Sequence, residues 1–135
     1  IKNGTIAPPP MPKLFGIEIV EVEPGHIVLT ATPQPEHNNP MGITHGGYAA
    51  ILLDTCMGGA IHSALKPSQG VVTLEYKINF MAAFQGGELQ ATGKVVRGGK
   101  RIIVTTAEVV HIAADGKRSD CALMQQTLVP VPKTY

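Results

Sequence analysis

The chain has 135 residues, of which 44% are hydrophobic and 16% are charged, and its formal net charge at pH 7 is +1. This size predicts one domain, residues 1–135, that buries a core without disulfides or metals. The balanced charge leaves no basic stripe for nucleic acid, and the two cysteines have no metal-ligand spacing. We therefore expect a cytoplasmic protein that binds neither nucleic acid nor metal.

The first part of the chain predicts an extended lead-in and then a hairpin. Residues 1–12 are rich in proline, which removes backbone donors, so we expect an extended segment without a regular helix. Residues 14–22 are rich in Ile and Val, and residues 26–32 alternate as a half-buried strand does. Pro24-Gly25 forms the turn between these strands, and a loop with three prolines follows at 33–44.

An almost wholly apolar helix is predicted from Gly46 to Leu65. Helices that are apolar all round belong in the middle of a fold. The helix contains one carboxylate, Asp54, and a carboxylate is costly to bury unless something holds it or uses it. That carboxylate also argues against a membrane span. We expect Gly58 and Gly59 to permit a close approach of the backbone to a sheet.

Four further strands are predicted, at 71–81, 88–97, 101–112 and 118–131. Gly98-Gly99 and Asp115-Gly116 are typical of two-residue hairpin turns, so the last three strands form an antiparallel meander. One helix set apart from a mostly antiparallel sheet defines an α+β fold.

The stretch from Asn39 through His45-Gly46-Gly47 to Asp54 resembles the hotdog-fold thioesterases related to phenylacetyl-CoA thioesterase. Residues 23–25, 39–42 and 73–80 fit that group as well, and the similarity covers roughly residues 10–130. The resemblance implies a six-stranded, mostly antiparallel sheet wrapped around one long central helix. It also implies metal-independent hydrolysis of acyl-CoA, with no cofactor because CoA is part of the substrate. Self-association as a homodimer, or as a dimer of dimers, is implied too.

Thioester hydrolysis needs a nucleophile or an activated water, and donors for the carbonyl oxygen. The Gly46 backbone N–H at the helix start is the candidate oxyanion donor, and Gly47 leaves room for substrate; simple packing at the helix start is the alternative. Asp54 is the candidate nucleophile or general base; a carboxylate capped within the core is the alternative.

Gly46 and Asp54 are eight residues apart, about 12 Å along one helix. Either one of them is not catalytic, or two chains share the site, as the family resemblance favours; a monomer should then be inactive.

Three other residues are candidates for the same chemistry. Asn39 can hold the attacking water or the carbonyl through its amide, or it can simply cap the loop before Pro40. His45 can polarise the thioester, or it can only order the helix start. Thr73, on the strand after the helix, can bond to Asp54 or its water, or it can be an exposed strand threonine.

The remaining predictions concern substrate contacts and rival functions. Arg97, Lys100 and Arg101 flank a hairpin turn and are candidate contacts for CoA phosphates, although solvated surface charge is the more frequent role of such residues. With few aromatic residues in the chain, an acyl pocket is expected to be lined by aliphatic side chains and Met, which favours an alkyl or small aryl group. A hotdog dehydratase or hydratase, and a non-catalytic acyl-CoA-binding protein, are the alternative functions.

Overall fold

The protein is described by a computed structural model that covers residues 7–134. Its elements are α1 (Pro10–Leu14), β1 (Glu18–Glu23), β2 (His26–Ala31), a short 3-10 turn (Pro35–His37), α2 (Gly46–His62), β3 (Gln69–Phe80), β4 (Glu88–Gly98), β5 (Ile103–Ile112) and β6 (Arg118–Pro132). The six strands form one sheet that packs against α2, so the predicted α+β hotdog architecture is confirmed.

The strand order across the sheet is β1-β2-β4-β5-β6-β3, and every neighbouring pair is antiparallel. The predicted meander of the last three strands is thereby confirmed. Within the described chain β1 and β3 are the two edges. The β1 edge carries three exposed glutamates, at 18, 21 and 23, which discourage pairing with another strand. The 12-residue β3 edge instead exposes apolar side chains, namely Val72, Leu74, Tyr76 and Phe80.

Helix α2 is buried on one side only, which corrects the prediction of a helix buried all round. Its buried residues are Tyr48, Ala49, Leu52, Leu53, Cys56, Met57, Ala60 and Ile61. The opposite face is half-buried and consists of Gly47, Ala50, Ile51, Asp54, Thr55 and Gly58. Apolar composition did not distinguish the two faces, because small and aliphatic residues occupy both. The open face is where a substrate can approach the carboxylate.

Three local predictions need correction. Pro10 begins the five-residue helix α1, because proline fits the first helical position, where no N–H is needed; residues 1–6 of the predicted lead-in lie outside the described chain. The β4–β5 link has four residues rather than two, and its Gly99 N–H donates to the Ile102 carbonyl. The β5–β6 turn is closed by the Ala113 N–H and the Lys117 carbonyl, with Gly116 at φ 86°.

No helix between residues 7 and 134 is long and apolar enough to cross a membrane. The two helices there are α1, with five residues, and α2, with 17. The 18 or so apolar residues of a spanning helix exceed both lengths.

Helix and sheet approach each other closely at Gly93 of β4. A Cβ on Gly93 would lie 2.9 Å from the Cys56 Sγ and 3.1 Å from the Cys56 carbonyl oxygen. Gly59 also permits a close approach, because its Cβ would lie 2.8 Å from the Ile27 Cδ1. Gly58 does not, since a Cβ there would meet nothing within 4 Å. The expectation for the two helix glycines is therefore right for Gly59 and wrong for Gly58.

We expect Gly93→Ala to lower the free energy of unfolding by about 1–3 kcal/mol, the usual cost of an overpacked core. The matched variant Gly58→Ala should instead raise it by about 0.5–1 kcal/mol, because alanine is the better helix former and the space is open. Urea denaturation of both variants against wild type measures the difference. Equal effects in the two variants would contradict the close packing of α2 on β4.

Candidate active site

Asp54 lies at the centre of a hydrogen-bonded network between α2 and the sheet. The Thr73 hydroxyl on β3 donates to the Asp54 Oδ1 over 3.2 Å, and the Gln126 amide on β6 donates to the same oxygen. The Gln126 Nε2 also donates to the Thr73 Oγ1 over 2.9 Å. Thr73 thus contacts Asp54 as predicted, and its alternative as an unattached strand residue is ruled out.

Gln126 and its neighbour Thr105 were missed from the sequence. Both side chains are fully buried, and the Thr105 hydroxyl donates to the Gln126 Oε1 over 3.3 Å from the directly opposite position on β5. Since its oxygen is held this way, the amide nitrogen of Gln126 faces the carboxylate. The sequence did carry a signal for these two residues. Each is polar at an inward-facing position of a strand whose other inward-facing residues are apolar, and buried polar groups need hydrogen-bond partners.

The two oxygens of the Asp54 carboxylate have different surroundings. Oδ1 accepts both donated hydrogen bonds, while Oδ2 receives none from any residue of the described range 7–134. The side chain is half-buried on the open face of α2. One oxygen is thereby fixed, and the other is accessible to take a proton or attack a carbonyl carbon.

The start of α2 presents one free donor. The His45 Nδ1 accepts the Gly47 N–H over 2.8 Å, so the histidine caps the helix with its ring and Gly47 has no N–H left for a substrate. A Cβ on Gly47 would lie 2.8 Å from the same ring nitrogen, and the predicted substrate role of Gly47 stays a prediction. The Gly46 N–H has no acceptor among residues 7–134. It remains the candidate oxyanion donor, at the positive end of the helix dipole.

His45 has a second ring nitrogen besides the one that caps the helix. Because Nδ1 is an acceptor, a neutral ring carries its proton on Nε2. The His45 side chain is exposed. Across the same helix start lies Phe80 at the end of β3, whose Cζ would be 3.0 Å from a Cβ on Gly46. A side chain at 46 would displace this ring.

Asn39 is both a loop cap and a free donor. Its Oδ1 accepts the Met41 N–H over 2.9 Å, and its backbone carbonyl accepts the Gly42 N–H over 3.0 Å. The amide Nδ2 has no acceptor within residues 7–134. The loop is tied to the helix start by the His45 N–H, which donates to the His37 carbonyl over 2.8 Å. The cap therefore fixes the amide and leaves its nitrogen available to a substrate.

Within one chain the two halves of the candidate site are separate. Asn39, His45 and Gly46 lie at the N-terminal end of α2, and Asp54 lies two turns further along the same continuous helix. Their separation is about 12 Å along the helix axis. A carbonyl cannot be within hydrogen-bond reach of both groups in one chain.

The three predicted cationic contacts come together at the β4–β5 turn. Arg97, Lys100 and Arg101 line one hollow of about 320 Å³, together with Gly99 and Ile102. All three cations are exposed.

Two other kinds of side chain bear on the chemistry. Burial raises the pKa of the Cys56 thiol to about 12, and burial also raises the pKa of Cys121, so neither thiol supplies a thiolate nucleophile near neutral pH. One cluster of side chains in the described chain is close enough to hold a metal ion. The donor atoms of Glu21, Glu23 and His26, on the β1–β2 surface, lie within 4.8 Å of one another. It includes none of the residues around Asp54.

His37, at the end of the short 3-10 turn, has a structural role. The His37 Nδ1 accepts the Gln34 N–H over 2.9 Å, and its ring packs 4.6 Å from the Tyr48 ring and 5.5 Å from the Phe15 ring. The ring orders the loop and the helix start.

A six-stranded antiparallel sheet around one helix is the hotdog architecture. The Thioesterase superfamily profile matches residues 41–113. The 1,4-dihydroxy-2-naphthoyl-CoA hydrolase of Listeria monocytogenes is 31% identical over 86 residues, 64% of this chain and 70% of that protein. Acyl-coenzyme A thioesterase 13 of Homo sapiens is 28% identical over 98 residues, 72% of this chain and 69% of that protein.

A solved structure has the same fold. The E. coli PaaI protein from the phenylacetic acid degradation operon superposes with a TM-score of 0.80 at 28% identity, over 91% of this chain and 85% of that chain. The chain belongs to the Thioesterase superfamily, and its enzyme class is thioester hydrolase.

Proposed function

We propose that the protein hydrolyses acyl-CoA to a free acid and CoA, without a metal, at a site shared by two subunits. The observation that carries the proposal is the Asp54 carboxylate, whose Oδ1 is held by Thr73 and Gln126 while Oδ2 is left to react. The relatives named as a naphthoyl-CoA hydrolase and an acyl-coenzyme A thioesterase support a CoA thioester as substrate.

Asp54 acts as a nucleophile or as a general base. As a base, Oδ2 takes a proton from water while the water oxygen bonds to the carbonyl carbon, and the proton then leaves with the CoA sulfur as the C–S bond breaks. As a nucleophile, Oδ2 bonds to that carbon, expels the thiolate and forms an anhydride that water cleaves. Both courses give the same acid and thiol.

The carbonyl oxygen is stabilised by donors at the start of the partner's α2. The Gly46 N–H, the Asn39 Nδ2 and the Nε2–H of a neutral His45 ring are all without acceptors among residues 7–134, and they belong to residues at one helix end. Donors fixed before the reaction stabilise developing negative charge at little reorganisation cost. Gly47 contributes indirectly, since its N–H holds the His45 ring.

Two subunits are needed because one chain keeps its carboxylate and its donors about 12 Å apart. The β3 edge supports self-association: it is long, unpaired within residues 7–134, and exposes Leu74 at 59% and Val72 at 50%. Pairing of two β3 edges about a two-fold axis would bring the α2 helices together with opposite directions, as isologous contacts require. A homodimer, or a dimer of such dimers, follows.

The hollow of Arg97, Lys100 and Arg101 is proposed to contact the CoA phosphates. Guanidinium groups form paired hydrogen bonds with phosphate oxygens, and three cations at one turn suit a polyphosphate better than a single charge would. The acyl end is then directed along the sheet toward Asp54.

A thiol-release assay tests the proposed function. Purified protein is incubated with acetyl-, hexanoyl-, decanoyl- and phenylacetyl-CoA, and free CoA thiol is measured with a chromogenic disulfide. We expect enzyme-dependent release with at least one of them, unaffected by chelators. The buried protein thiols give no background. Absence of release from every acyl-CoA, with tight binding retained, would favour a binding protein and refute the proposal.

A further inference from the structure

A hydrogen-bonded chain of side chains runs from β5 through β6 to the Asp54 carboxylate. The Thr105 hydroxyl donates to the Gln126 Oε1 over 3.3 Å. The Gln126 Nε2 donates in turn to the Asp54 Oδ1 and, over 2.9 Å, to the Thr73 Oγ1. Thr105 and Gln126 are fully buried, so neither side chain can touch a substrate. Any effect of these two residues on the reaction has to pass through Asp54 or Thr73.

Packing alone does not account for the buried pair of Thr105 and Gln126. The inward neighbours along the same two strands are apolar, namely Ile103 and Ala107 on β5 and Met124 and Leu128 on β6. Burying a hydroxyl and an amide costs free energy that their hydrogen bonds offset, whereas a valine and a leucine would fill similar space without that cost. The reason for the pair therefore lies in the groups that its hydrogen bonds hold.

Thr105 is the stiff end of this chain. A β-branched side chain has a restricted first torsion, whereas the last torsions of Gln and Asp are broad and do not by themselves fix the direction of an amide or a carboxylate. With the Gln126 Oε1 held by Thr105, the amide N–H groups are directed toward Asp54 and Thr73. In the reversed orientation the amide oxygen would face the Asp54 Oδ1, an acceptor against an acceptor.

We infer that Gln126, held by Thr105, is a positioning residue of the hydrolysis, which fixes the Asp54 Oδ1 and thereby aims Oδ2 at the thioester carbon or at the attacking water. The inference rests on the proposed hydrolysis of acyl-CoA and adds two residues to it. Oδ1 is the oxygen that does not react, whether Asp54 acts as base or as nucleophile. Loss of its holder therefore leaves the carboxylate present but misdirected, and a misplacement of about 1 Å can lower a rate by about 10²-fold.

Gln126→Leu should lower kcat by about 10–100-fold and leave KM within about twofold. The carboxylate loses one of its two holders, while every group that can contact the substrate stays in place. Both constants are measured by thiol release with each acyl-CoA of the panel that wild type hydrolyses. The matched control is Gln125→Leu, the same change at the exposed neighbouring position of β6, which should keep kcat within about twofold. A wild-type kcat in Gln126→Leu would overturn the inference.

Two substitutions test the part of Thr105. Thr105→Ser keeps the hydroxyl that donates to Gln126, so kcat should stay within about twofold of wild type. Thr105→Val keeps the branched shape and removes the hydroxyl, so kcat should fall by about tenfold with KM unchanged. Equal kcat values in the two variants would overturn the role of Thr105.

A double variant that combines Thr105→Val with Gln126→Leu separates positioning from stability. Thr105→Val alone leaves the buried Gln126 oxygen without a donor and should unfold at a lower urea concentration than wild type. With both partners apolar, the double variant should regain the wild-type urea midpoint while its kcat stays as low as that of Gln126→Leu.

The double variant also keeps the test decisive if a single variant does not fold. Recovery of kcat together with stability in the double variant would mean that the pair only supports the fold, and it would overturn the inference. Wild type that releases no thiol from any acyl-CoA would instead refute the proposed function itself, so the two failures are distinguishable.

Discussion

Asp54→Asn should lower kcat by about 10²–10⁴-fold, the usual contribution of a positioned general base. The substitution is isosteric, and the asparagine Oδ1 can still accept the hydrogen bonds from Thr73 and Gln126. What changes is the outer oxygen, which becomes an amide nitrogen that neither takes a proton nor attacks a carbonyl. We therefore expect lost turnover with the fold intact, measured by thiol release and by thermal unfolding.

The matched control for this variant is Asp120→Asn. Asp120 is an exposed carboxylate on β6, the strand that also carries Gln126, and the same isosteric change there should leave kcat within about twofold, as surface substitutions usually do. If Asp54→Asn retained wild-type kcat, Asp54 would be a structural group of the core and another residue would have to act on the thioester.

Mixing two inactive variants should restore activity. Asp54→Asn removes the carboxylate, and Asn39→Asp keeps the Oδ1 cap for Met41 while replacing the amide donor by an oxygen. If two chains share each site, a heterodimer of these variants has one site with both defects and one site with neither. Random reassembly should then give about a quarter of the wild-type activity, since half of the dimers are mixed and each has one intact site.

Equal amounts of the two variants are unfolded in urea, mixed, refolded together and assayed beside each variant refolded alone. Wild type taken through the same cycle gives the reference activity. A site complete within one chain predicts no recovery, because every chain then carries a defect in its own site. Such a result would overturn the two-subunit site. A site shared between chains would then not be the reason for the 12 Å separation of Gly46 and Asp54 along α2.

The Asp54 network explains why the carboxylate is tolerated in an apolar helix. The costs of burying Gln126 and Thr105 are offset because Thr105, directly opposite on the neighbouring strand, satisfies the Gln126 oxygen. The amide then has a fixed orientation and can only donate toward Asp54 and Thr73. Helix, β3, β5 and β6 thus all contribute to the position of one oxygen atom.

The sequence by itself determined the elements and most of the candidate residues. Alternation in β2, the apolar run of α2 and the Pro-Gly turn at 24–25 are local patterns, because strand and helix periodicities are set by neighbouring residues. The spacing of Gly46 and Asp54 is local as well, since both lie on one helix whose rise per residue is fixed. That fixed rise is the reason why the sequence alone predicts a site shared by two chains.

Only the tertiary structure decided which groups are free to react. That the His45 ring takes the Gly47 N–H, that Thr105 orients Gln126, and that Gly58 lies beside open space while Gly59 packs on Ile27 all depend on contacts between residues distant in the chain or on side-chain direction. Small and aliphatic residues occupy both the buried and the open face of α2, so the apolar run by itself could not separate them. Hydrogen-bond satisfaction and packing are properties of the assembled sheet and helix, and the surroundings of the Asp54 carboxylate follow from them.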